Sequence, residues 1–138
     1  MAILVLTDAL VEINSVDLSD HVEKVTLEYG ADMVEATAMG DDTHDNLPGL
    51  KNWGLTVEFQ QDFASAKVDA TLFPLVGAAA FAIEVRPVNA ARSATNPGYT
   101  GQALVESYPP LGNKVGELAK TTAVFKPGGT LSRTTSST

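Results

Sequence analysis

Apolar and polar residues alternate with a period of two along most of this chain. Val25, Leu27 and Tyr29 alternate with Lys24, Thr26 and Glu28, and Trp53, Leu55, Val57 and Phe59 alternate with Gly54, Thr56, Glu58 and Gln60. Phe81, Ile83 and Val85 alternate with Ala82, Glu84 and Arg86 in the same way. Runs of this period are strands with one buried and one wet face. Two further strands are predicted over 100–108, stopped by Pro109-Pro110, and over 121–126, stopped by Pro127-Gly128-Gly129. Near the start, residues 10–13 and 16–18 flank Asn14-Ser15, which predicts a hairpin.

One segment changes period. Val68, Leu72, Leu75 and Val76 fall at i, i+4, i+7 and i+8, the face of a helix, and this predicts one short α-helix over about residues 64–76. Asp62 or Ser65 is the expected cap. Pro74 and Gly77 are the expected stop. Residues 38–51 are polar, acidic and turn-rich, with Gly40, Pro48 and Gly49, and read as a long loop. Residues 89–99 contain Asn96-Pro97-Gly98, a strong turn signal. The stretch 131–138 is nearly all Ser and Thr and is expected to be mobile. No internal repeat or linker divides the 138 residues, so a single mainly β domain is expected.

Composition narrows the chemistry. Apolar residues make up 44% and charged residues 19%, the balance of a globular chain. There is no cysteine, which removes disulfides, thiolate metal sites and cysteine nucleophiles. The apolar start, residues 2–6, is short and has no basic flank, so no secretory signal is expected, and no run reaches membrane-span length. The net charge of −8 is uneven: residues 1–45 hold eleven acids against the single base Lys24, whereas residues 46–138 hold six acids and eight bases. Phosphate binding needs clustered Lys and Arg, so nucleic-acid affinity is not expected.

Candidate catalytic groups are sparse. His21 and His44 are the only histidines, and neither sits in a nucleophile–base motif. Asp41-Asp42-Thr43-His44-Asp45 has alternating oxygen ligands but lacks the central Gly and distal Glu of a calcium loop, and too few His for zinc. Pro127-Gly128-Gly129-Thr130 lacks the Lys of a phosphate cradle. The expectation is a non-enzymatic protein with no cofactor and no metal.

Several strings, in order, resemble the small tail tube (major tail) proteins of long-tailed, non-contractile bacteriophages. They are Val16-Asp17-Leu18-Ser19-Asp20-His21-Val22, the run from Asn52-Trp53-Gly54-Leu55 to Asp62-Phe63, Val68-Asp69-Ala70-Thr71-Leu72-Phe73, and Ile83-Glu84-Val85-Arg86-Pro87. Ser93-Ala94-Thr95-Asn96-Pro97-Gly98-Tyr99-Thr100-Gly101 and Leu131-Ser132-Arg133 complete the set. The resemblance implies a β-sandwich or barrel-like core with one flanking helix. Six copies would form a ring, and stacked rings a tube that delivers DNA.

By the same resemblance, the loop at 38–51 would reach the next ring, making Asp41, Asp42, His44, Asp45, Leu47 and Leu50 candidate inter-ring contacts. Terminal arms of such subunits also join in stacking. Partners would be other copies of the chain and further tail proteins (tape measure, terminator, tail tip), with DNA passing through unbound and no membrane contact. The protein would be made in the host cytoplasm and reside in the virion. A DNA conduit should repel phosphate, and screening acts over about 8 Å at physiological salt. Glu12, Glu23, Glu28, Glu58, Glu84 and Glu106 are therefore candidate lumen-facing acids. Alternatives are a tail terminator, a capsid decoration protein, a tube protein of a secretion system or a tail-like particle, and, from another class, a small-ligand β-barrel.

Overall fold

A computed structural model describes residues 3–136. Eight strands form one antiparallel sheet: β1 (Leu10–Ile13), β2 (Val16–Asp17), β3 (Val22–Glu35), β4 (Asn46–Gln60), β5 (Phe81–Arg86), β6 (Gly98–Ser107), β7 (Lys120–Pro127) and β8 (Ser132–Thr134). Their order is β2-β1-β5-β6-β7-β4-β3, with β8 added beside the start of β6. All the alternating runs are strands. Asn14 and Ser15 turn the first hairpin with φ of 51° and 67°, the left-handed pair that suits strand twist.

The apolar positions of those runs make one core. Leu55, Val57 and Phe59 of β4 pack with Ala123 and Phe125 of β7, Ala103 of β6, Ile83 and Val85 of β5, and Val11 and Ile13 of β1. Phe81 meets Phe125 edge-on, with centroids 6.0 Å apart. The sheet curls strongly. Val25, Leu27 and Tyr29 of β3 thus face Val85, Tyr99 and Leu131 across an apolar cleft of about 460 Å³. The outer edge of β3 has no paired strand among the described residues.

The helical segment is shorter than its periodicity predicts. The helix α1 spans Val68–Leu72 and continues as a single tighter turn, Phe73–Leu75. Val68, Leu72 and Leu75 are buried as expected, but Val76 is 52% exposed. The start is delayed because Ala66 has φ +60°, a left-handed conformation that cannot continue a helix. Neither expected cap holds: Lys67 precedes the helix without a capping bond. Asp62 instead accepts from the Ala64 N–H at 2.9 Å.

Two loop readings need correction. Residues 46–51 of the expected loop belong to β4, so the connection is only residues 36–45 and the element is a long β3–β4 hairpin. Pro48 is tolerated because β7 pairs β4 only from Leu55 to Gln60, leaving this part of β4 without a second neighbour. In the stretch expected to be mobile, Ser132–Thr134 is a strand paired with Gly98, Tyr99 and Thr100. Residues 137 and 138 lie outside the described residues, as does Ala2 of the apolar start.

Candidate assembly interface

The hairpin is the largest feature without internal support. Strands β3 and β4 pair from Val22↔Phe59 to Glu35↔Asn46, with irregularities after Val22 and after Ala31. Only residues 53–60 of β4 alternate between buried and part-buried positions; from Asn46 to Asn52 every residue is exposed. The distal half, Gly30 to Glu35 against Asn46 to Asn52, thus projects some 20 Å past the core at strand rise. It carries exposed apolar side chains: Met33 (61%), Val34 (55%), Leu47 (54%) and Leu50 (81%).

The six predicted contact residues lie together on this element. Asp41, Asp42, His44 and Asp45 form its tip, and Leu47 and Leu50 stand on β4 behind it. The tip is internally ordered. His44 Nδ1 lies 2.6 Å from Glu35 Oε1, the Asp41 carboxylate accepts from the Ala38 N–H at 2.7 Å, and Thr37 Oγ1 accepts from the Asp45 N–H at 2.8 Å. Among the described residues, no group of three or more acidic or histidine side chains could hold a metal ion.

The six acidic candidates for a lumen wall behave differently from one another. By strand alternation Glu28, Glu58, Glu84 and Glu12 lie on the outer face of the curled sheet. Glu23 and Glu106 sit at the irregular points of β3 and β6. Most have a cation beside them. Glu23 pairs with Lys120 at 3.2 Å, Glu106 with Lys126 at 3.4 Å, and Lys24 stands opposite Glu58 in the ladder. Hydrogen bonds from Gln60 and Lys120 hold the Glu23 carboxyl below the usual range.

Glu84 is 8% exposed and held by two guanidiniums, Arg92 at 2.8 Å and Arg86. The Arg92 hydrogen bonds, opposed by burial and aided by Arg86, hold its carboxyl down to about 2. Glu12 faces Glu84 across the ladder and also attracts Arg92. Glu28 stands opposite Gly54, with no base across the strand. Negative charge is dense on the distal hairpin, where Asp32, Glu35, Asp41, Asp42 and Asp45 stand against a single lysine, Lys51.

Sequence reasoning missed three polar clusters. Asn96 is 7% exposed; its amide donates to the carbonyls of Val88, Ala90 and Ala91, and its Oδ1 accepts from the Val88 N–H at 3.0 Å. Tyr108 Oη donates to Asp69 at 2.7 Å and accepts from Gln61 at 3.0 Å, tying α1 to the β6–β7 connection. His21 Nε2 lies 2.8 Å from Asp62. The Asn96-Pro97-Gly98 turn was legible as a turn, whereas the partners of Tyr108 and His21 lie 39 and 41 residues away.

The fold has known counterparts. No protein-family model and no curated protein matches the sequence. Among solved structures, a chain in the tail of an empty gene transfer agent particle, refined with C6 symmetry, superposes with a TM-score of 0.73 at 13% identity, over 92% of this chain and 96% of that one. A chain of the native gene transfer agent virion gives 0.71 at 13% identity, over 92% and 95%. A chain of the sheath/tube terminator of an extracellular contractile injection system gives 0.70 at 12% identity, over 96% of both. The chain shares the fold of components of phage-like tails. That fold occurs in contractile systems as well, so it does not single out non-contractile tails.

Proposed function

We propose that this protein is a structural tail tube subunit that assembles with copies of itself. The observation that carries the reading is the hairpin. A two-stranded ribbon with both faces wet is marginal in water, and this one exposes apolar side chains along its distal half. It needs a partner, and in a stack of rings each hairpin gains one from the next ring. The free edge of β3 invites lateral pairing, which ring closure would consume. Six copies per ring accords with the symmetry of the gene transfer agent tail. Tape measure, terminator and tip proteins would be the further partners, with DNA passing through the bore into the host cell. The virion would be the site of action, after synthesis in the host cytoplasm.

Two tests follow at this level. Replacing residues 36–45 by a two-residue turn should leave a folded subunit that no longer forms tubes, seen as loss of the fast-sedimenting species; tubes of normal yield would contradict the role of the hairpin. For the lumen, Glu28 is a candidate that makes no ion pair among the described residues. Glu28→Lys should slow DNA ejection while tubes still form, and unchanged ejection would remove Glu28 from the wall.

One observation favours a different class. The apolar cleft of about 460 Å³ is within the size range of small-ligand sites. A monomer that enhances the fluorescence of an apolar dye, without assembling, would favour a ligand carrier.

A further inference from the structure

The two ends of β4 carry different surfaces. Past Asn46 lies the acidic and apolar hairpin end. Past Gln60, the segment 61–67 and the β6–β7 connection come together. There the Gln61 N–H donates to the Ala119 carbonyl at 2.9 Å, Gln61 Nε2 to the Pro110 carbonyl at 2.9 Å, and Thr121 Oγ1 to the Pro109 carbonyl at 2.6 Å. This far end exposes Phe63 (57%), Leu111 (76%) and Leu118 (58%). Lys67 and Lys114 are exposed on the same two segments.

Except for Asp20, exposed beside His21, the acids of the far end are turned to their own neighbours. Asp62 is bonded to His21 and to the Ala64 N–H, Asp69 accepts from Tyr108, and Glu117 accepts from the Lys114 backbone N–H at 2.9 Å. The Lys114 ammonium makes no ion pair among the described residues. The backbone at Ala66, beside Lys67, is held in the left-handed region at φ +60°, a strain that places Lys67 on the surface instead of in a first helical turn.

We infer that this far end, built from Phe63, Lys67, Leu111, Lys114 and Leu118, is the receiving surface for the hairpin end of a second copy. The inference rests on the tube reading and supplies the other half of its axial contact. Charge is complementary: the distal hairpin carries five acids against one lysine, Lys51, and the far end offers two outward lysines among acids mostly bonded inward. Apolar surface matches too, with Met33, Val34, Leu47 and Leu50 to be covered on one side and the far-end Phe and Leu side chains on the other. The two surfaces lie past opposite ends of one strand. A contact between them is head-to-tail and cannot close on itself between two copies, so it propagates along an axis.

The absence of cysteine makes the test clean. Thr43→Cys in one chain and Leu111→Cys in another, mixed in equal amounts and oxidised, should give a disulfide-linked dimer. Thr43→Cys with Ala82→Cys, on the outer sheet face, is the control. Lys67→Glu with Lys114→Glu should cut the cross-linked yield about tenfold at low salt, since like charges then face each other. Adding Asp41→Lys with Asp42→Lys in the hairpin should restore it.

Stacked rings in the microscope with cross-linking no greater than the control would overturn this receiving surface and leave the tube reading standing. Specific cross-linking without rings would support the head-to-tail contact and overturn the tube. Neither rings nor cross-linking would overturn both.

Discussion

Glu84 is the acid whose surroundings depart furthest from a strand's wet face. It was read as an outward residue because it alternates with Ile83 and Val85, and it does leave the core side. The turn at Asn96-Pro97-Gly98 then folds over it with Arg92. Gly98 makes this possible, since a Cβ there would stand 2.7 Å from Glu84 Oε2 and 2.8 Å from Arg92 Nε. The folded-state carboxyl, at about 2, lies below its ordinary 4.5. The stabilisation is therefore complete above pH 4.5 and is lost as the pH falls towards 2, a linkage worth about 3 kcal/mol. Glu84→Gln should cost about 3 kcal/mol at neutral pH by leaving two guanidiniums uncompensated. It should also flatten the loss of stability between pH 4.5 and 2, read from urea midpoints; a slope equal to that of the parent would contradict the pairing.

At the scale of elements, Tyr108 is the fastener between α1 and the β6–β7 connection. Burial, reinforced by the hydrogen bond to Asp69, pushes its hydroxyl up to about 12 from 10.0. A raised folded-state value means that the contribution is whole below pH 10 and disappears as the pH approaches 12. Tyr108→Phe should cost about 1–2 kcal/mol at neutral pH. It should also remove the alkaline fall in thermal stability over that window, while an unchanged melting profile would show that the latch carries no weight.

Strands that pack on the core were legible because burial imposes the alternation itself, as Leu55, Val57 and Phe59 show. The distal hairpin was not, since both its faces meet solvent and no alternation is required; Pro48-Gly49 then read as a turn inside what is a strand edge. Strand β8 escaped for another reason: Ser132, Arg133 and Thr134 join β6 through the backbone ladder, which needs no alternation of hydropathy. The helix was overextended because periodicity registers Val76 but not the left-handed backbone at Ala66.

For the whole molecule, the charge imbalance of the sequence acquires a location. The wet face of the sheet is largely balanced, Glu23 by Lys120, Glu106 by Lys126 and Glu84 by two arginines. Half of the net −8 sits on the projecting hairpin, an acidic end past one limit of β4, with Lys67 and Lys114 past the other. A subunit with such unlike ends fits the proposed head-to-tail contact, which would not stop at two copies. Its candidate contact residues were legible as a group, because 41–50 is contiguous in sequence. The proposed receiving side was not, because its two segments, carrying Phe63 and Leu111, are joined by long-range bonds of Gln61 and Tyr108.

The decisive measurement is electron microscopy of the purified protein over a rising concentration series. A tube subunit should give hollow cylinders of constant width, with an axial repeat of stacked rings and sixfold symmetry in end views. Single rings that never stack would instead indicate a terminator, and a monomer at every concentration would contradict self-assembly as the function of this fold.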